Sequence, residues 1–238
     1  MRNNTERAKI AAILVGAVMF IEIAMIISSY LQINLLQRVV DGIDVSDAEV
    51  NWNDTREGIV GILYLVVFII STVCFIMWFR RAYYNLHLKA KNLLYTEGWA
   101  AGAWFVPILN LFRPYQIMKE LYEKTDQILS EHFGSYQEKK GTTIVGVWWF
   151  MWVVANIISN VSTRLTLRAE TAEEFLGSTR LDLFSSIVSV PMAILAIIVI
   201  LDYSKMEKRL YQLDKEEGLA STHDLDFGGN EDILDALR

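Results

Sequence analysis

Four apolar runs constrain this chain more than any other feature: residues 10–36, 59–79, 142–161 and 183–201. The last three hold no Asp, Glu, Lys or Arg, and the first holds only Glu22. About 20 helical residues cross a hydrocarbon core about 30 Å thick. Inside that core every backbone N–H and C=O must be bonded within the protein, so runs of this length read as helices. The fold class predicted is an all-α integral membrane protein with four transmembrane helices. The hydrophobic content of 53% over 238 residues agrees, because it gathers in these blocks instead of spreading along the chain. The first run is too long for the apolar core of a cleaved signal peptide, and no A-x-A-like site follows it, so it reads as an uncleaved signal anchor.

Lysine and arginine set the expected orientation. With the N-terminus inside, the cytoplasmic segments carry Arg2, Arg7, Lys9, the basic residues from Arg80 to Lys140, and those from Lys205 onward. The outer loops keep only Arg38, Arg56, Arg164, Arg168 and Arg180. The positive-inside rule favours this threading, with both termini cytoplasmic. The net charge of −6 argues against a general nucleic-acid binder, and the single cysteine, Cys74, excludes an internal disulfide.

Residues 98–113, G-W-A-A-G-A-W-F-V-P-I-L-N-L-F-R, are apolar but too short and interrupted for a span. Reading them as a fifth span would move Lys119, Lys124, Lys139 and Lys140 outside and collapse the charge bias. They are expected to re-enter the membrane or lie on its inner interface, broken at Pro107. Pro114 suits a first helical turn, and Ile117, Met118, Leu121, Tyr122, Ile128 and Leu129 then recur at helical spacing, predicting a cytoplasmic amphipathic helix over 114–132 that lies on lipid or on another subunit. A polar linker, 134–141, leads to the third span. Residues 37–58 read as an acidic, solvated loop. Residues 162–182 read as a mixed-charge loop with helical character around 169–176. Residues 211–238 read as an acidic, disordered tail. Pro191 interrupts the fourth apolar run.

Three groups of residues invite a functional reading. Trp78, Arg81 and Asn85 are spaced to share one helix face where the second span leaves the membrane. Asn110, Arg113 and Glu120 follow, and Arg81 and Arg113 are expected close together at the inner interface. There they either hold a lipid phosphate or other anion or pair with Glu120 and Asp202. Glu22 is costly at mid-membrane; it serves either proton or cation coupling or an interhelical hydrogen bond, with Asn156 and Asn160 as partners. Trp148, Trp149 and Trp152 read as an interfacial aromatic belt. His87, His132 and His223 have no metal-ligand spacing, and no nucleophile, zinc-protease, phosphate-loop or dinucleotide motif is present.

The segments W-F-R-R-A-Y-Y-N-L at 78–86 and G-W-A-A-G-A-W-F-V-P-I-L-N-L-F-R-P-Y-Q-I-M-K-E-L at 98–121 resemble a bacterial membrane domain, the domain of unknown function forty-three twenty-eight. The positions carrying the resemblance are Trp78, Arg81, Asn85, Gly98, Trp99, Trp104, Phe105, Pro107, Asn110, Arg113, Pro114 and Glu120. The resemblance implies a multi-span bacterial inner-membrane protein and brings no reaction or cofactor. The expectation is a non-enzymatic scaffold or assembly subunit that contacts lipid, itself or another membrane protein. The alternative is a small transporter using Glu22 and a broken-helix gate at Pro107.

Overall fold

The computed structural model describes residues 1–134 and 139–235, with side chains described for 1–134 and 141–217. Four long helices dominate: α1 (Thr5–Val40), α2 (Asp47–His87), α5 (Lys139–Thr166) and α6 (Ala172–Asp235). Each contains a stretch long and apolar enough to cross a membrane. Between α2 and α5 lie the single-turn α3 (Trp99–Gly102), two 3-10 turns at Ala103–Phe105 and Leu109–Leu111, and α4 (Arg113–Phe133). The long helices pack in a row. α1 lies against both α2 and α6, and α6 lies against α5, which leaves α2 and α5 at the two ends.

The helices extend well past the apolar runs, which corrects the expected loops. Between α1 and α2 only residues 41–46 are non-helical, because Ser46 and Glu49 form a capping box. The Ser46 hydroxyl accepts from Glu49 N and the Glu49 carboxylate accepts from Ser46 N. This satisfies donors that the first turn otherwise leaves unpaired. Thr171 and Glu174 repeat the arrangement at the start of α6, shrinking the second loop to residues 167–171. Pro191 lies inside α6 without ending it.

The expected tail is also corrected. Leu210 and Leu213 are buried in the core. Asp214 pairs with the Met1 ammonium at 2.6 Å and with Lys89 at 2.7 Å, and Glu217 pairs with Lys89 at 2.6 Å. Residues 211–217 are therefore a packed part of α6, whose backbone continues to Asp235; residues 236–238 lie outside the described residues. Partial burial of Lys89 works against its charge, but the Asp214 and Glu217 carboxylates outweigh it and hold its pKa above the usual lysine range. Of the expected linker, residues 135–138 lie outside the described residues.

α4 carries the predicted amphipathic pattern, but its apolar face turns into the bundle. Ile117, Met118, Leu121, Tyr122 and Leu129 are buried. The Tyr122 hydroxyl donates to Val199 O of α6 at 2.9 Å, and Thr125 meets Tyr203 at 3.3 Å. Gly141 lets α4 approach α5: a Cβ there would sit 2.5 Å from the Tyr122 ring.

Candidate functional site: an aromatic elbow, a buried acid and a basic pocket

The segment from 98 to 113 is an elbow. Val106 takes an extended conformation, φ −100° and ψ 112°, as a residue before proline prefers. Pro107 thus ends one 3-10 turn and the chain reverses into the next. Trp104 turns inward and bridges the two ends of the helix row. Its ring lies 5.5 Å from Phe75 and 6.2 Å from Phe79 of α2, and 5.8 Å from Trp149 and 5.9 Å from Trp152 of α5. Trp149 Nε1 donates to Leu111 O at 2.9 Å. Trp148 and Trp149 are accordingly buried, packed with the partly buried Trp104, not spread as an interfacial belt; edge and offset ring packing sets their positions. Phe105 and Ile108 at the tip point outward, 75% and 73% exposed.

The base of the elbow is stapled. The Arg113 guanidinium lies 4.3 Å from the centre of Trp99 and 4.9 Å from that of Tyr95. Arg113 thus joins the two ends of the segment by cation–π contact, and its Nε is buried without a hydrogen-bond partner among the described residues. Its expected partner Glu120 is engaged elsewhere: the carboxylate accepts from the Tyr83 hydroxyl at 2.7 Å and from Leu94 N at 2.8 Å. Tyr95 donates its hydroxyl to Gln116 at 2.6 Å. Pro114 occupies the first turn of α4.

Asn85, expected in the anion pocket, belongs instead to a buried cluster. Its amide donates to Glu207 Oε1 at 2.7 Å and to Arg2 O at 2.8 Å, and accepts from Arg2 N at 3.0 Å. Asn4 donates to Glu207 Oε2 at 2.9 Å and to Trp78 O at 3.2 Å. Glu207 itself is 4% exposed. Both asparagines are spent holding this acid, which ties the N-terminal residues to α2 and α6. Ile200, Tyr203, Glu207 and Leu210 are all buried. Their helical spacing, an acid on an apolar stripe, is the signal that could have identified Glu207 from sequence.

Arg81 sits apart from the elbow. With Arg2, Arg7 and Arg80 it lines a cavity of about 320 Å³ beside Tyr84 and Glu97. Arg81 and Arg2 lie 5.7 Å and 5.2 Å from the Tyr84 ring centre. Arg7 donates to Met77 O at 3.3 Å, and Arg80 pairs with Glu97 at 3.1 Å. The surroundings of Arg81 and Arg113 are therefore different, one set basic and one aromatic. The sequence reading missed Arg2, Arg7 and Arg80; the Arg80–Arg81 doublet at the end of the second apolar run was the available sign.

Within the apolar layer, Glu22 is 5% exposed and its polar neighbours are Ser186 and Tyr64. Asn156 and Asn160 are not its partners. They donate back along α5 to Trp152 O and Asn156 O, each at 2.8 Å, and with Asn110 line a cavity of about 580 Å³ beneath the elbow. At the far end of the bundle, Arg56 donates to Asn53 at 2.6 Å and to the Ser28 hydroxyl at 2.9 Å, and Ser28 donates to Glu57 at 2.5 Å. Among the described residues, no three His, Cys, Asp or Glu side chains converge as a metal site.

No curated protein and no solved structure matches this chain. The family pattern described as domain of unknown function (DUF4328) matches residues 41–205, which hold the elbow, its staple, Arg81 and Asn85, and the chain belongs to that family.

Proposed function

We propose that this is a non-catalytic multi-span protein of the bacterial cytoplasmic membrane, both termini cytoplasmic, whose inner face docks on anionic lipid as an assembly or scaffold subunit. The observation that carries the reading is the basic pocket: Arg2, Arg7, Arg80 and Arg81 line it with one acid, Glu97, while the buried Glu207 behind Arg81 is held by Asn4 and Asn85. Like charges gathered with so little compensation call for an anion, and the planar forks of arginine suit phosphate oxygens. Depth supports a lipid source. Arg80 and Arg81 directly follow the second apolar run, and Arg7 precedes the first by one turn, so the pocket lies at headgroup level. The elbow tip adds exposed apolar side chains, Phe105 and Ile108, that suit contact with lipid tails.

Purified protein in a neutral detergent should be stabilised against heat by phosphatidylglycerol and not by equal amounts of phosphatidylcholine. At about 1 kcal/mol per arginine near a membrane surface, each of Arg7→Gln and Arg81→Gln should weaken the lipid effect about fivefold. Equal stabilisation by both lipids, or full retention of the effect in the double variant, would remove the reading.

A further inference from the structure

The row of helices leaves a groove between its two ends. Its floor is Val15 and Val18 of α1 with Ala193 and Ala196 of α6, and its walls are Phe75 of α2 and Trp152 of α5. Trp104 closes it, while Phe68 and Phe105 flank the mouth and are exposed on the outer surface. The groove holds about 330 Å³ and adjoins the cavity of about 580 Å³ along a shared wall of Trp104, Phe105, Asn110, Trp152 and Asn156. No charged side chain lines it.

We propose that this groove binds one neutral amphiphile with a flat, hydroxylated ring as head and a long apolar tail, the chemical class of a membrane quinol. A slender extended chain suits the groove better than a helix about 10 Å across with its side chains. Depth argues against a phospholipid head in the groove, and the charged Arg164 lines only the adjoining cavity. Trp152 and Asn156 lie about 15 Å and about 21 Å into the third apolar run, near mid-membrane, where a charged group is costly.

Hydrogen bonding selects the head. Asn110 Oδ1 is buried without a partner among the described residues. Asn156 has committed its N–H to Trp152 O, which leaves its carbonyl oxygen to accept. A hydroxyl can donate to one of these two amide oxygens while its own oxygen accepts from the Asn110 N–H, so one hydroxyl engages both side chains. The three rings of the shared wall favour an aromatic or quinonoid ring over an aliphatic alcohol. The small side chains Ala193 and Ala196 leave room for the tail against α6.

The test is native mass spectrometry of the full chain in a mild detergent, titrated with a decyl-tailed benzoquinol and, separately, with its dimethyl ether. The wild type should show a saturable one-to-one adduct with the quinol. The ether, which cannot donate, should bind about tenfold more weakly, and Asn156→Leu should weaken quinol binding by about the same factor. Ala196→Phe should abolish the adduct by filling the floor. Val18→Phe, which narrows the groove from a half-exposed wall, carries the same test if Ala196→Phe fails to fold. Equal binding of quinol and ether, or an undiminished adduct in a folded groove-filling variant, would overturn the proposal.

Discussion

Replacing Asn85 by leucine measures what the buried acid contributes to the fold. The side chain is 1% exposed and makes three hydrogen bonds, to Glu207 Oε1, Arg2 O and Arg2 N. Leucine has similar bulk and makes none. Two neutral bonds at about 1 kcal/mol each and one to a carboxylate at about 2 kcal/mol give an expected loss of about 4 kcal/mol. That is a large share of the roughly 5–15 kcal/mol by which native domains are typically stable. Reversible unfolding in mixed micelles, titrated with dodecyl sulfate, provides the assay. In Asn85→Leu the Glu207 carboxylate stays buried with Asn4 as its remaining amide donor. Removing it as well, in Asn85→Leu with Glu207→Leu, should recover about 1–2 kcal/mol relative to the sum of the single losses. A loss below about 1 kcal/mol for Asn85→Leu, or a strictly additive double variant, would refute the assignment of Asn85 as the acid's structural partner.

Other outcomes follow from the packing and the threading. Gly141→Ala places a methyl against the Tyr122 ring and should cost about 1–3 kcal/mol through overpacking; no change in unfolding midpoint would contradict the close approach of α4 to α5. On the proposal that the elbow tip enters lipid, a nitroxide at Ile108→Cys, in a Cys74→Ser background, should be relaxed by oxygen far more than by a water-soluble nickel chelate in liposomes; the reverse ratio would put the tip in water. Asp47→Cys and Glu173→Cys should label with an impermeant thiol reagent in intact cells while Glu123→Cys stays protected; labelling at Glu123 alone would invert the topology.

Much of the fold was legible because lipid leaves the backbone few choices. The four apolar runs, the break at Pro107 and the helix starting near Pro114 all reappear in the structure. What was not legible was mostly side-chain partnership across helices. Arg113 and Arg81 look alike in sequence, yet one lies on Trp99 and Tyr95 while the other shares a pocket with Arg2 and Arg7. Nothing in a one-dimensional pattern states which helix ends meet, and residues 2 and 81 come together only because α1 and α2 are antiparallel neighbours. The loops were overestimated for a local reason: the capping pairs Ser46–Glu49 and Thr171–Glu174 extend helices through polar sequence that hydropathy alone assigns to solvent. Glu207 was missed because it lies beyond the apolar run, where an acid is ordinarily solvated.

The most direct test of the central claim is lipid competition on the intact protein. Full-length protein in nanodiscs of equal phosphatidylglycerol and phosphatidylcholine would be released into a native mass spectrometer and its retained lipids counted. The account predicts that phosphatidylglycerol is retained preferentially by the wild type and that the preference disappears in Arg7→Gln with Arg81→Gln while Arg113→Gln keeps it. Retention without headgroup preference, or a preference lost through Arg113 and not through Arg7 and Arg81, would contradict the account.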